Sequence, residues 1–525
     1  MNEPYNWFDQ AAVTLLTDLP AWRLRAVERV ELSSAFWSER DREIHVKSFS
    51  EVTEGDSPWR RNLRTDLARH RSATGESFEM VLPITDLPKI PLLDLSITVD
   101  GNSVYRVPKD EGARIEARHV VYLAERAQLI NDPPECSQHL VDFLGALFYF
   151  PTHPYQKIWE KYHHLSFSHA DSWSVRAFVD TQQEYLASMR RKFPFDILHS
   201  YGEWKCTANR IGELAASYVI LDHTSGAQNP LIALPYLFQE IEEQQRSQER
   251  VMGRQDIDVL LNYLCSMLET AHSRASRDAA ACEFISTYFG YGYRWMAFAK
   301  CKVPVSESFS IHVKEKRAIY FSPERKARIS AWEQWKKEAW QMVPFADAET
   351  NHVSVRVTDT AVRLKHRPQV LDEIKNPVTE AVDQEASTFE LYLLHDSSRG
   401  RRERIYIKCP LRLTRLHSGM LYITMIITAF GFALLIDRGL PELSSMPPHD
   451  PTRQSTSPVA EGLTAKDATL ILIPVAFAAT FLLIRDASTL SAWLRRIRQS
   501  VLLVELFVLL ASAFVFVLIH HIKIG

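Results

Sequence analysis

Three long apolar runs near the end of the chain constrain its fold more than any other sequence feature. They extend from Met420 to Ile436, from Ala468 to Ile484 and from Val501 to Ile519. Each run has about 17 to 19 residues, which is close to the length that an α-helix needs to cross a hydrocarbon core about 30 Å thick. Buried core helices are usually shorter and more often interrupted by polar residues. The runs therefore predict three transmembrane α-helices.

Basic residues near the ends of these runs predict their orientation, because cytoplasmic loops of membrane proteins carry an excess of Lys and Arg. The residues that precede the first run are Arg399, Arg401, Arg402, Arg404, Lys408, Arg412 and Arg415. The residues between the second and third runs are Arg485, Arg495, Arg496 and Arg498. We therefore predict a multi-pass protein of a plasma or inner membrane, with a cytoplasmic N-terminal body, an external C-terminus and an external disordered loop at about residues 438–465.

The basic segment before the first run, Arg399 to Arg415, also predicts contact with the anionic headgroups of a lipid bilayer. Each Lys or Arg near such a surface contributes about 1 kcal/mol of attraction.

Glu505 lies about one turn into the third run, where an ionisable side chain is costly unless it reaches water or a partner. Glu505 could pair with Arg498 or Arg485, or its side chain could extend to the aqueous surface. Either role explains its position more simply than proton relay.

The residues before the first apolar run predict an α+β body. The predicted parts are a β-rich N-terminal domain (1–108), a helical domain (109–302), a β-rich juxtamembrane domain with an inserted helix (303–417) and the membrane domain (418–521). Asp100-Gly101-Asn102 predicts a hairpin turn, because Gly tolerates the positive φ that tight turns require. Asp132-Pro133-Pro134-Glu135 predicts a helix start.

Further patterns predict individual elements of that body. The residues with helical spacing on one apolar face are Ile257, Leu260, Leu261, Leu264, Leu268 and Ala271, a pattern typical of a core helix. Ser322-Pro323 opens a predicted helix that includes Trp332, Trp335 and Trp340. The segments Thr388 to Leu394 and Arg404 to Leu413 alternate polar and apolar residues, which predicts a pair of strands joined as a hairpin.

The composition argues against several classes of function. A net charge of −3 gives no electrostatic reason to expect a nucleic-acid partner. Gly is scarce, at 17 of 525 residues, and no glycine-rich phosphate loop, dinucleotide fingerprint, zinc-protease or hydrolase motif occurs. The six cysteines lack metal-ligand spacing and are typical of buried thiols in a reducing compartment. We therefore predict no cofactor and no recognisable catalytic residue.

One spacing could carry metal chemistry. Glu-x-x-His places a carboxylate and an imidazole on one face of a helix, as in di-iron carboxylate bundles. It occurs at Glu116/His119, Glu160/His163, Glu269/His272 and Glu349/His352. The candidate metal ligands are Glu160, His163, Glu269 and His272, and surface or structural roles for them are the simpler interpretation.

The leading functional hypothesis is a membrane-anchored, non-enzymatic binding, sensing or scaffold protein with an unknown protein partner. The first alternative is an oligomeric membrane-perturbing or channel-like effector, which would require a homo-oligomer. The second alternative is a membrane-tethered, metal-dependent enzyme.

Overall fold

The computed structural model shows an α+β protein with mixed sheets. It describes residues 7–34, 37–88, 92–130, 134–149, 254–318, 338–344, 347–372, 377, 382–384, 388–394, 404–444, 473, 475–476 and 488–524.

The helices are α1 (Trp7–Thr17), α2 (Leu19–Trp22), α3 (Phe49–Val52), α4 (Pro58–Ala68), α5 (Lys109–Arg126), α6 (Pro134–Tyr149), α7 (Arg254–Arg274), α8 (Ala279–Tyr293), α9 (Arg415–Ser444) and α10 (Thr489–Ile524). The strands are β1 (Arg23–Leu32), β2 (Trp37–Val46), β3 (Ser77–Pro88), β4 (Leu92–Val99), β5 (Asn102–Ser103), β6 (Tyr105–Arg106), β7 (Arg294–Pro304), β8 (Phe309–Ala318), β9 (Glu338–Pro344), β10 (Thr350–Val357), β11 (Val362–Leu364), β12 (Gln369–Asp372), β13 (Val382–Gln384), β14 (Thr388–Leu394) and β15 (Arg404–Leu413).

The strands form three sheets. The largest has the order β13-β14-β10-β1-β2-β8-β4-β5, in which only β1 and β10 are parallel neighbours. A second sheet has the order β11-β15-β12 with β9 also paired to β15, and the third has the order β3-β7-β6. The largest sheet combines strands from both predicted β-rich domains, and the predicted domain boundaries stay a prediction.

Strand β2 shows how the sequence sets the two faces of the largest sheet. Side chains alternate along a strand, and Ser38, Arg40, Arg42, Ile44 and Val46 are all buried while the residues between them are only partly buried. The buried face is therefore polar over one half of the strand and apolar over the other. The interior therefore has a polar region at Ser38, Arg40 and Arg42 and an apolar region at Ile44 and Val46.

Three hydrophobic cores follow from these faces. The first core packs β3 and β7 with α1 on the apolar halves of β2, β4 and β8. The second core packs β9, β11, β12 and β15 on β1 and β10, together with Leu490 and Leu494 from the first turns of α10. The third core is helical and joins α5, α6, α7 and α8. The predicted apolar face of the segment from Leu260 to Ala271 is buried there.

The prediction of three transmembrane helices is wrong. In the part of the chain that the structure describes, no single helix is both long and apolar enough to cross a membrane. The apolar part of α9 is Tyr422–Ala433, which at about 1.5 Å per residue is much shorter than a core of about 30 Å. Helix α10 is bent by 48° between Thr489–Arg495 and Gln499–Val515. Only these two pieces taken together are long and apolar enough to cross a membrane.

Two further expectations depended on those helices. The predicted location, a multi-pass protein of a plasma or inner membrane with a cytoplasmic body, is wrong for the same reason. Of the second apolar run, only residues 473, 475 and 476 lie within the described residues. Residues 445–465 of the predicted external loop lie outside the described residues, whereas residues 438–444 belong to α9 and are helical.

Candidate functional site

A layer of charged side chains lies on the buried face of the largest sheet, at the polar half of β2. Its members are Arg23, Glu28, Arg40, Arg42, Glu315, Arg317 and Asp347. All except Asp347 are buried, and the Asp347 side chain is 14% exposed. We call this set the ion-pair layer. The pairing register explains part of it, because Glu28 lies opposite Arg42 and Arg40 lies opposite Glu315 on neighbouring strands.

Two carboxylates each bind two guanidinium groups. Glu28 accepts hydrogen bonds from Nη1 of Arg40 and Nη1 of Arg42, each at 3.0 Å. Asp347, just before β10, accepts from Nη1 of Arg23 at 2.5 Å and from Nη2 of Arg42 at 2.6 Å. Arg42 therefore connects both carboxylates. Charge-assisted hydrogen bonds of this kind are roughly twice as strong as neutral ones.

The remaining donors of the ion-pair layer reach both β-sheet cores. Arg40 donates to the backbone oxygen of Met342 at 2.7 Å and to Oε1 of Gln341 at 3.0 Å, and both acceptors belong to β9 in the second core. Arg23 donates to the backbone oxygens of Pro83 and Ile84 at 2.8 and 3.2 Å. Those carbonyls lie at an irregularity in the β3–β7 pairing. One set of side chains thus contacts strands of both cores.

Burial and neighbouring charges shift the pKa values of the arginines in opposite directions. Burial lowers the pKa of Arg23 to about 10 and that of Arg40 to about 10. Burial also acts to lower the pKa of Arg42, but the carboxylates of Asp347 and Glu28 outweigh it and the net pKa is raised. All three guanidinium groups remain charged near pH 7, so the ion-pair layer holds full charges in the interior.

A second group of polar contacts continues from the ion-pair layer toward the helical core. Arg317 donates from Nη2 to the backbone oxygen of Asp86 at 3.0 Å, and the Asp86 carboxylate binds Nη1 of Arg294. The Arg294 guanidinium lies 5.6 Å from the ring centroid of Tyr291, and the Tyr291 hydroxyl lies 2.8 Å from Nδ1 of His119. Buried polar contacts therefore extend from the largest sheet into α5 and α8.

The structure describes only two of the four candidate metal ligands. Glu160 and His163 lie outside the described residues, and on α7 Glu269 is half-buried while His272 is exposed. Among the described residues no group of three His, Cys, Asp or Glu side chains could hold a metal ion. The fully buried Glu116 instead accepts a hydrogen bond from the backbone N–H of Met296 at 2.5 Å. The helical spacing of Glu116 and His119 therefore places both side chains in the protein interior.

The predicted basic segment is only partly described. Arg399, Arg401 and Arg402 lie outside the described residues, Arg404 begins β15 and Arg415 begins α9. Arg412 is exposed on β15. Lys408 forms an ion pair with Glu338 at 3.0 Å and lies 5.6 Å from the Trp340 ring centroid. A structural contact therefore accounts for Lys408, while headgroup contact by this segment stays a prediction.

Helices α9 and α10 pack against each other and expose many apolar side chains. The exposed residues on α9 are Tyr422, Ile423, Ile426 and Phe430, and those on α10 are Val501, Leu503, Val504, Phe507, Val508, Leu510, Phe514, Val515 and Leu518. We call these residues the helix-pair surface. Glu505 is half-buried on α10, and burial raises the pKa of its carboxyl.

Both helices start from the second core. Strand β15 ends at Leu413 and α9 begins two residues later. The first turn of α10 is held by Asp359, whose carboxylate accepts a hydrogen bond from the backbone N–H of Ser491 at 3.1 Å and also binds the Ser488 hydroxyl. The Ser488 hydroxyl also accepts from the backbone N–H groups of Leu490 and Ser491, at 3.1 and 3.2 Å. Asp359 therefore adds a second acceptor for Ser491 at this helix N-terminus.

Replacing Asp359 with Ala is expected to lower the free energy of unfolding by about 1 kcal/mol, because an N-terminal capping acceptor is lost. Hydrogen exchange of the Ser491 amide should accelerate, while the strands of the first core should keep their protection. Asp94→Ala is the control substitution, because Asp94 is exposed on β4. Unchanged exchange at Ser491 would show that Asp359 does not hold α10.

Comparisons with protein families, with curated proteins and with solved structures find no significant match to this chain. Its function must therefore be inferred from the ion-pair layer and the helix-pair surface.

Proposed function

We propose that the chain is a non-enzymatic scaffold protein that binds a second copy of itself through the helix-pair surface. The observation that carries this proposal is the exposure of large apolar side chains on both helices: Phe507 is 73% exposed, Ile426 67% and Phe514 66%. Contiguous exposed apolar surface marks a place that another surface covers. A helix that is apolar around most of its circumference is normally buried.

The covered part of each helix is narrow. Leu502 and Leu509, one heptad apart on α10, are fully buried, as are Thr424 and Thr428 on α9. Most other apolar positions of α10 face away from α9. Burying one large apolar side chain contributes about 1.5–3 kcal/mol, so covering even a few of these residues stabilises an assembly substantially.

A second copy fits this surface for a geometric reason. In a twofold-symmetric dimer the same patch serves both partners, so an apolar patch on one copy is matched by an identical one on the other. Both helices begin at the second core, which fixes the position of the helix-pair surface relative to the rest of the protein.

The charged residues support a structural role for the interior. In the ion-pair layer Glu28 and Asp347 are each bonded to two guanidinium groups and Glu315 to one. Each of these carboxylates is engaged by guanidinium groups through charge-assisted hydrogen bonds or ion pairs. The ion-pair layer therefore fixes how the strands of the first and second cores are arranged.

Substituting Ile426→Glu and Phe507→Glu together is expected to dissociate the dimer. The dimer loses the burial of four large side chains, two from each copy, which costs at least about 6 kcal/mol and corresponds to roughly a 10⁴-fold weaker dimer. Sedimentation velocity over a concentration series measures the shift. Tyr105→Glu is the matched control, because Tyr105 is 89% exposed and lies outside the helix-pair surface.

Two results would contradict the proposal. One is a full chain that sediments as a monomer at every concentration. The other is an assembly of unchanged stability in the double variant, which would place the contact elsewhere. A monomer that assembles only with an added protein would favour a different protein as the partner.

A further inference from the structure

Glu505 is the single charged residue in the apolar part of α10. The stretch from Val501 to Ile519 contains no other Asp, Glu, Lys, Arg or His. The stretch of α9 from Met420 to Ile436 contains none at all, and its one titratable side chain is the exposed Tyr422. Charges that a protein removes from water are normally paired, so a lone carboxylate between two apolar helices requires an explanation.

The other charged groups near α10 lie toward its two ends. On α10 itself the nearest charged or titratable residues are Arg498 and His520, about 10 and about 22 Å from Glu505 along the helix axis. The second core packs on the first two turns of α10, so the charged residues of β15, Lys408 and Arg412, lie at that base. Among the described residues, no cation therefore faces Glu505 from α9 or from the apolar part of α10.

Glu505 lies where the contact between α9 and α10 meets the helix-pair surface. Residues three and four apart are neighbours on a helix. On one side of Glu505 its neighbours Leu502 and Leu509 are fully buried, and on the other Val501 and Val508 are each 39% exposed. The carboxylate is half-buried, and its Oε2 atom is inaccessible and has no hydrogen-bond partner among the described residues. A second copy that covers Val501 and Val508 therefore removes more water from Glu505.

The protonation of Glu505 responds to this burial. Burial already raises the pKa of the Glu505 carboxyl in the single chain. Because desolvation disfavours the charged form of a carboxyl group, further burial in a dimer raises the pKa again. A group whose pKa is higher in the assembled chain than in the free chain takes up a proton on assembly.

We propose that Glu505 makes the self-association of this chain pH-dependent, so that the dimer is tightest when the carboxyl is protonated and weakens when it ionises. The proposal rests on the self-association proposed above and adds the means of its regulation. The favourable contribution of the protonated carboxyl is complete below the pKa of the free chain, and it is lost as the pH rises through the pKa of the dimer. Acidification therefore favours assembly.

The dissociation constant of the full-chain dimer should fall as the pH is lowered. We expect a decrease of at least about tenfold between about pH 8 and about pH 5, because one unit of pKa difference between the free and assembled states is a factor of ten per copy. Sedimentation velocity over a concentration series at each pH measures the change. Constant ionic strength keeps the screening of surface charges the same throughout.

Glu505→Gln separates this carboxyl from every other titrating group. The amide has nearly the same shape and no charge, so the variant should form a tighter dimer than the parent at about pH 8. Its dissociation constant should be nearly independent of pH. The matched control is Glu307→Gln, at an exposed position between β7 and β8, which should keep the pH dependence of the parent.

A carbon NMR titration of the glutamate carboxyl groups in the parent chain gives a second readout, with the Glu505 signal assigned by its loss in Glu505→Gln. The pKa of Glu505 should be higher at concentrations where the chain is dimeric than where it is monomeric. A dimer whose dissociation constant does not change with pH would overturn the regulation and leave self-association standing, whereas a monomer at every pH would overturn both. An equal pH dependence in the parent and in Glu505→Gln would also overturn the role of Glu505.

Discussion

Replacing Glu28 with Gln is expected to lower the free energy of unfolding by about 3–5 kcal/mol, which is the usual cost of removing one partner from a buried charged pair. Glu28 is the shared acceptor of Arg40 and Arg42. The neutral amide leaves the two guanidinium groups buried with less compensating charge. Denaturant unfolding followed by far-UV circular dichroism measures the change.

Glu31→Gln is the control for that substitution. Glu31 lies on the same strand and has the opposite side-chain direction, so it is only partly buried and does not belong to the ion-pair layer. The control should change the unfolding free energy by less than about 0.5 kcal/mol, as surface substitutions usually do. Equal effects at the two positions would mean that the ion-pair layer is hydrated and carries little of the stability.

Replacing Gly290 with Ala is expected to destabilise the junction between the helical core and the first core. A Cβ atom at Gly290 would lie 2.8 Å from Nη2 of Arg294 and 3.0 Å from its Nε. Because Arg294 is buried and bound to Asp86, its guanidinium has little room to move. Overpacking of this kind costs about 1–3 kcal/mol, which exceeds the gain of about 1 kcal/mol that Ala brings to a helix.

Gly112→Ala provides the matched control for Gly290→Ala. Gly112 also lies in a helix, but there a Cβ atom would meet a Phe298 ring carbon at 3.4 Å, an ordinary contact. Helix propensity alone should then leave stability unchanged or slightly higher. Thermal unfolding of both variants gives the comparison. A Gly290→Ala variant as stable as Gly112→Ala would show that Arg294 can leave Asp86 without cost.

Local signals in the sequence predicted several local elements. Asp100 and Gly101 have φ values of 50° and 76° between β4 and β5, as the predicted turn requires. Helix α6 begins at Pro134, inside the predicted start signal. These features depend on a few adjacent residues, so the sequence contains the information needed to predict them.

Pairing between distant segments could not be predicted in the same way. Strands β14 and β15 were expected to pair as a hairpin, yet β14 pairs with β10 and β13 while β15 pairs with β9, β11 and β12. Trp340 was expected on a helix but lies on β9. Strand alternation indicates which face a side chain occupies, but it does not identify the neighbouring strand.

The ion-pair layer was missed for the same reason, although one signal for it was present. Arg40 and Arg42 have the same side-chain direction as Ile44 and Val46, so a buried apolar face predicts buried arginines. Their acceptors Asp347 and Gln341 lie about 300 residues away in sequence.

The apolar runs gave a wrong prediction of transmembrane helices, because mean hydropathy does not reveal the bend in α10 or the shortness of the apolar part of α9.

Cross-linking between copies tests the proposed self-association most directly. Phe507→Cys places a thiol at a position that is 73% exposed on the helix-pair surface, whereas Leu509→Cys places one at a fully buried position of the same helix. The native residues Cys136, Cys206 and Cys282 are first replaced with Ser, because Cys282 is only partly buried. With a short bismaleimide reagent, we then expect Phe507→Cys to yield a covalent dimer at concentrations where that background chain and Leu509→Cys yield none. Tyr105→Cys, exposed outside the helix-pair surface, should still dimerise but should yield no covalent dimer. Equal yields from Phe507→Cys and Tyr105→Cys would contradict a dimer formed through α9 and α10.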